Sequence, residues 1–434
     1  MYPASLGGAS LSNTEGWHKR AGSPFNCRKS PLIASEAVVA SNHPLASLAG
    51  VEMFARGGNI FDAAIATAFA LTVVEPMMVG IFGGGTIVAR TVDGEITVID
   101  NLSTAPRAAT PGMYRPDDSS SAENPAIDRE NDVGYRAVGV PGTLPAWCEL
   151  LASRGRLTLG EVMAPAIRLA ADGFRASSFL VQCITEPRAD LARFPATAEI
   201  FLPGGEAPKV GDTIVRRDYA RSLESIARDG VKVLHDGPLG ETICADMARN
   251  GGILTMDDLR GYEIAHRQPI RGTYRGHEIL SMAPASSGGT FIVQGLNILE
   301  GFDLRSLGFG TPESTHLIAE TLKLGFADRQ RYMSDPAFVE MPIEALIDPG
   351  YAEQRRGLID CARAGQPGAG MPAIRSGDGG NTTHLTVMDR AGNTIAMTQA
   401  INSILGQDMP TRLNQANAHC RPNHQRSSCG MARR

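Results

Sequence analysis

The sequence predicts an α+β fold in which antiparallel strands come from both ends of the chain and helices fill the middle. Three stretches predict it. Residues 60–74 are apolar on every side of a helix, and Ala63, Ala64, Ala66, Ala68 and Ala70 allow neighbours to approach closely, the pattern of a helix buried all round. A glycine cluster then leads into two short strand patterns, 86–91 and 95–100, joined by Asp93-Gly94, and such a pair between β-rich runs marks a tight hairpin. Near the other end, Thr383, Leu385 and Val387 alternate with His384, Thr386 and Met388, Asp389 to Asn393 supplies turn residues, and a second strand runs over 394–399; that period of two is a hairpin's. A helix followed by antiparallel strands argues against a doubly wound parallel sheet. With Met388 facing Thr394, the antiparallel count sets Thr382 opposite Ala400.

In chain order, residues 1–34 form a disordered segment rich in Ser, Gly and Asn, and periodic sequence begins near Glu36. The 60–74 run is shorter than the roughly 20 apolar residues a bilayer requires, and Asp62 sits near its start, so it is no membrane span. A polar loop covers 115–132. Thr158 with Glu161 reads as a capping box and Gly173 as a stop. Further helices fit 218–228, 240–249, 290–299 and 313–331, and a short strand over 278–282 leads into Ala283-Pro-Ala-Ser-Ser-Gly-Gly289. The stretch 361–380, rich in Gly, Pro and Ala, reads as an exposed, mobile linker before the last hairpin. Residues 408–434 hold five arginines against one acid and no apolar period, so they will not pack as a core element.

Composition narrows the function classes. The chain has 434 residues, 43% of them hydrophobic, with a formal net charge of -5, so it can bury a sizeable core and carries no basic field for nucleic acid or acidic membranes. Small molecules or peptides are the better partners. Seven scattered cysteines without a C-x-x-C pair indicate neither a disulfide framework nor a zinc site. The first 30 residues show no secretory signal, which points to the cytoplasm.

One residue has an unusual chemical opportunity. If the bond between Asn381 and Thr382 is cut, the new chain end carries an α-amine beside its own hydroxyl, and the amine can serve as base for the oxygen. The plainer reading is that Thr382 and Thr383 are β-branched residues suited to a strand. Other candidates are weaker. Gly83-Gly84-Gly85 lacks the Gly-Lys-Ser/Thr of a phosphate loop and reads as crowded packing. His384 reads as a solvent-side or hydrogen-bonded structural histidine. His419, Cys420, His424 and Cys429 fit no zinc spacing. Ser286-Ser287-Gly288-Gly289 lacks the G-x-S-x-G elbow of a serine hydrolase.

Six stretches taken together carry a resemblance: Ala40 to Ser47, Arg56 to Ile65, Val74-Glu75-Pro76 leading to Gly85, Val138 to Gly142, Pro284 to Gly289, and Thr382-Thr383-His384 with Asp389 and Gly392-Asn393. In this order they resemble the γ-glutamyltransferase (γ-glutamyltranspeptidase) family of N-terminal-nucleophile hydrolases over roughly residues 35–406. The resemblance implies a four-layer αββα sandwich, incomplete here at the C-terminus, and a precursor that cuts itself between Asn381 and Thr382. It divides the chain into a large-subunit region, 35–381, the start of a small subunit, 382–407, and an aberrant basic tail, 408–434, that reads as a truncated or out-of-frame end. Thr382 would be the nucleophile, forming an acyl ester that passes to water or an amine, and Asn402 would contact the amino end of a γ-glutamyl group such as that of glutathione. No metal or organic cofactor is implied.

Three departures from the family pattern carry expectations of their own. Ala400 stands where the family has Thr or Ser hydrogen-bonded to the nucleophile. Leu102-Ser-Thr-Ala-Pro106 aligns with an Arg-Glu-x-Ala-Pro stretch, so the guanidinium that clamps the substrate α-carboxylate is missing, and Arg107 is only a neighbour in sequence. The family's later Ser-Ser contact and Gly-Gly oxyanion donors are also absent from this chain. The acyl group is therefore γ-glutamyl or a related one, with oxamate-like or β-lactam side-chain amides as the alternative. A catalytically inactive, unprocessed precursor is the competing non-enzymatic reading.

Overall fold

The computed structural model describes residues 32–117, 119, 126–366 and 382–401. The chain divides into two units, residues 1–36 and Ala37–Arg434, and the architecture below is that of the second. Most of the segment expected to be disordered, most of the expected linker, and the tail after Gly406 lie outside the described residues, as do Asn381 and Asn402.

A helix that cannot show a polar face to water must sit at the centre, and α2 (Ile60–Val74), preceded by α1 (Pro44–Ala55), does so with every residue buried. Its start is fixed by a capping box. Asn59 Oδ1 accepts from the backbone N–H groups of Phe61 and Asp62, and Asp62 Oδ2 accepts from Asn59 N at 2.7 Å. Gly50 lets α1 cross closely, because a Cβ there would meet Thr67 Oγ1 and the Ala63 carbonyl.

The central sheet has six strands: β1 (Ala37–Ser41), β2 (Gly84–Arg90), β3 (Ile96–Asp100), β6 (Ala265–His266), β9 (Thr382–Asp389) and β10 (Thr394–Ala400), in the order β1-β9-β10-β2-β3-β6. Every neighbouring pair is antiparallel. The hairpin near the end of the described chain is thus inserted between β1 and β2, which end 341 and 292 residues before it begins. Two smaller sheets stand apart: β4 (Phe174–Arg175) with β5 (Thr213–Ile214), and β7 (Ile270–Tyr274) with β8 (His277–Ser281). Helices pack on one face of the central sheet. There α2 lies against β9 and β10, over Leu385, Val387, Ile395 and Met397, all essentially without solvent contact. The other face leaves Val38, Thr382, His384 and Met388 exposed. Among the described residues there is one large sheet, so they give a central antiparallel sheet flanked by helices.

The hairpin register is the one counted from the alternation: Thr394 pairs with Met388 and Ala400 with Thr382. The capping box of Thr158 and Glu161 and the stop at Gly173, with φ 90°, are present. Other boundaries move for identifiable reasons. The helices at Pro238–Arg249 and Pro312–Tyr332 begin earlier than their apolar patterns, because proline is pre-organised for the first helical turn. The 115–132 stretch contains a short 3-10 turn, Ile127–Arg129. Strand β2 starts at Gly84 rather than residue 86, since Gly84 and Gly85 pair with Ala400 and Gln399. The close approach explains the glycines. A Cβ on Gly85 would overlap the Thr398 carbonyl and the Gln399 amide, and one on Gly83 would overlap the Ala400 carbonyl. Gly85→Ala is expected to destabilise the chain by more than about 2 kcal/mol, because backbone must shift to admit the methyl. Denaturant unfolding of the variant beside the parent checks this, and an unchanged midpoint would contradict it.

Candidate active site at the start of strand β9

Strand alternation decides which side chain of the pair Thr382-Thr383 faces which way. Thr382 emerges exposed on the open face, and Thr383 turns into the core with 2% of its surface accessible. A buried hydroxyl requires partners. Thr383 Oγ1 donates to Glu75 Oε2 at 3.0 Å and accepts from Asn42 Nδ2 at 3.2 Å. Glu75 is the residue that ends α2, and Asn42 lies between β1 and α1.

The same layer holds a second buried polar residue. Gln399, paired with Thr383 in the register, accepts from Asn101 Nδ2 at 3.1 Å and donates to the Thr86 carbonyl at 3.3 Å. Directly above it, Ala400 offers Thr382 no hydroxyl, so the expected cross-strand hydrogen bond to the nucleophile candidate has no donor or acceptor in that side chain.

Burial pushes the Glu75 carboxyl above the ordinary carboxylate range, and the Thr383 hydroxyl, which favours the charged form, offsets part of that. The sign for stability follows. Below its ordinary value of 4.5 the group is protonated folded and unfolded, and charging it costs the folded state as pH rises through the raised value. Glu75→Gln, neutral throughout, is therefore expected to gain stability relative to the parent as pH rises from 4.5 toward neutrality. Thermal melts of both proteins across that range measure it, and a difference that stays flat or shrinks with pH would contradict it.

The end of α2 is itself held from below. Arg216, fully buried, donates from Nη1 to the Thr72 carbonyl at 2.7 Å and stacks over the Tyr219 ring at 4.2 Å, while Tyr219 Oη donates to Thr72 Oγ1 at 2.6 Å. A guanidinium at the last carbonyls of a helix meets the negative end of its dipole, and burial still brings the Arg216 pKa down to about 10.

The remaining candidates behave as ordinary structure. His384 stands on the open face with Nδ1 2.9 Å from Thr398 Oγ1 and Nε2 3.0 Å from Thr386 Oγ1, and partial burial lowers its pKa. Both ring nitrogens have strand hydroxyls as partners, the arrangement of a hydrogen-bonded structural histidine. Ser287 Oγ accepts from Arg329 Nε at 2.8 Å, a donor that cannot take its proton. Burial pushes the thiols of Cys148, Cys183 and Cys244 to about 12, 11 and 11, which leaves them inert. Among the described residues no cluster of His, Cys, Asp or Glu is arranged to hold a metal, and no helix is long and apolar enough to cross a membrane. The residues His419, Cys420, His424 and Cys429 lie outside the described chain. The Leu102 carbonyl accepts from Tyr262 Oη at 2.9 Å, and its backbone N–H donates to Asp100 Oδ1 at 3.1 Å. Arg107 donates its backbone N–H to Asp258 Oδ1 at 2.8 Å and lies beside Gly261.

Sequence reasoning missed Glu75, Asn42, Asn101 and Gln399 as members of one site. A signal for Glu75 existed. An acid placed directly after a fifteen-residue, mostly apolar helix, and before a proline, is committed to a buried position and needs a donor.

The described residues, with an exposed hydroxyl opening an inner strand above a buried polar layer, place the chain among α+β proteins built on a central antiparallel sheet flanked by helices. The comparisons narrow the class. The Gamma-glutamyltranspeptidase family model matches residues 46–413. The chain is 49% identical over 388 residues to the Acylase ACY 1 proenzyme of Pseudomonas sp. (strain V22), covering 89% of this chain and 69% of that protein. It is 36% identical to the Glutathione hydrolase proenzyme of Escherichia coli (strain K12), covering 87% of this chain and 64% of that protein. Cephalosporin acylase from Bacillus halodurans superposes with a TM-score of 0.79 at 28% identity, over 93% of this chain and 72% of that one. The chain belongs to the gamma-glutamyltranspeptidase family of N-terminal-nucleophile hydrolases, a family of enzymes made as proenzymes. It spans about two thirds of the length of these curated relatives.

Proposed function

We propose that Thr382 is the nucleophile of an amide acyl transfer, generated when the chain cuts its own bond between Asn381 and Thr382. The placement of Thr382 carries this reading: it is the first residue of an inner strand, exposed, and next to a tethered neighbour. After the cut the new α-amine takes the Oγ1 proton as the oxygen attacks the amide carbonyl. The tetrahedral intermediate collapses, the leaving amine receives that proton, and an ester remains on Thr382. Water or an amine attacks the ester carbonyl, the acid or new amide departs, and the proton returns to Oγ1. The two products of the cut, residues 1–381 and 382–434, act together, with Asn402 at the amino end of the substrate. A second sheet on the open face, completing an αββα sandwich, belongs to the same proposal.

The acyl group is of the acylase kind rather than γ-glutamyl. Leu102 occupies the position where the family resemblance places a carboxylate-clamping arginine, and the greater identity to the acylase proenzyme than to the glutathione hydrolase supports the same choice. The test compares the 4-nitroanilides of γ-glutamate and of butyrate, the same acyl chain without its amine and carboxylate. Without the clamp, kcat/KM for the γ-glutamyl compound is expected to exceed that for butyryl by less than about tenfold, whereas charge-assisted bonds to a carboxylate give about a hundredfold or more. A preference of that larger size returns the assignment to γ-glutamyl transfer.

A further inference from the structure

We propose that Glu75 and Asn42 are positioning residues for Thr382, acting through Thr383, a proposal that rests on reading Thr382 as the nucleophile. A residue at the start of a strand has no intrinsic restraint on its amine or hydroxyl, and a reacting atom displaced by about 1 Å can lose about a hundredfold in rate. Across the sheet, Ala400 cannot hold the Thr382 oxygen. The restraint therefore comes from the next residue.

Thr383 and Gln399 form a buried polar pair in a layer otherwise made of Leu385, Val387, Ile395 and Met397. Each is satisfied at this register: Thr383 by Glu75 and Asn42, Gln399 by Asn101 and the Thr86 carbonyl. A slip of one residue would turn Thr382 inward, strip the partners from Thr383, and put Leu385 and Val387 on the open face. The polar layer thus selects both the register and the face on which Thr382 emerges. Its anchor is stiff, since Glu75 follows a fully buried helix whose last carbonyls are held by Arg216. The line of contacts runs from the core to the nucleophile.

The test uses the full chain with Thr383→Val, which keeps shape and loses the hydroxyl, Thr383→Ser, which restores it, and Glu75→Leu, which removes the acceptor. The half-time of the 381/382 cut, kcat and KM on an amide, the thermal midpoint, and amide exchange over residues 383–385 are measured together. Positioning predicts that Thr383→Val and Glu75→Leu slow the cut and kcat by about tenfold or more with KM nearly unchanged, and that Thr383→Ser recovers most of the loss. Cutting and kcat per folded molecule equal to the parent's in Thr383→Val, with only the midpoint lowered, would overturn it. Should the parent chain itself stay uncut and inactive, the Thr382 reading fails separately, and the exchange data decide the tether. Exchange faster by about tenfold in Thr383→Val than in Thr383→Ser supports it, and equal protection overturns it.

Discussion

Thr382→Ala is expected to leave the chain as a single uncut species with amide turnover lower by at least about a thousandfold, while Thr382→Ser retains both reactions at reduced rate. Alanine removes the one hydroxyl that, among the described residues, combines exposure with adjacency to the proposed scissile bond. Neighbouring groups cannot take its place: Thr383 is buried and bound to Glu75, and Thr386 is engaged by His384. Serine keeps a hydroxyl on the same carbon and so keeps the chemistry. Denaturing mass analysis and turnover of a chromogenic amide measure the effect together. An alanine variant cut at the same bond would show that Oγ1 is not the attacking atom.

Asp62→Ala is expected to cost about 3–5 kcal/mol, the largest stability effect foreseen for a single side chain here. Asp62 has no accessible surface. Its carboxylate accepts from the backbone N–H of Asn59 at 2.7 Å, of Arg156 at 3.0 Å and of Leu157 at 3.0 Å. One side chain thus caps the central helix and ties it to the chain that follows Thr143–Arg154. Alanine deletes every one of these bonds and leaves the donors without a partner. Urea unfolding reads the loss as a shifted midpoint with unchanged slope, and a change below about 0.5 kcal/mol would contradict the assignment.

These two residues also mark what could be read from sequence. The helix around Asp62 and the hairpin that begins at Thr382 were legible because periodicity is local: a run over 60–74 that is apolar almost all round and a period of two over 382–389 each name their element and its faces. The pairing of Thr382 with Ala400 follows from the turn. The polar layer beneath was not legible in that way. Thr383 and Glu75 are 308 residues apart, Thr383 and Asn42 are 341, and Gln399 and Asn101 are 298, and local pattern carries no information on which distant donor meets which acceptor. The glycines at 83–85 were read as crowding, but that Gly84 and Gly85 enter β2 depends on β10 lying against them. Leu102 is legible only as a departure, because a missing guanidinium is visible against a family pattern and in no periodicity.

The central claim is that this chain makes Thr382 an N-terminal nucleophile. Its most direct test is the mass and N-terminal sequence of the purified, unmodified chain under denaturing conditions. The account predicts a cut product whose first residues are Thr382-Thr383-His384. A single intact species of 46.0 kDa that hydrolyses no amide would contradict it.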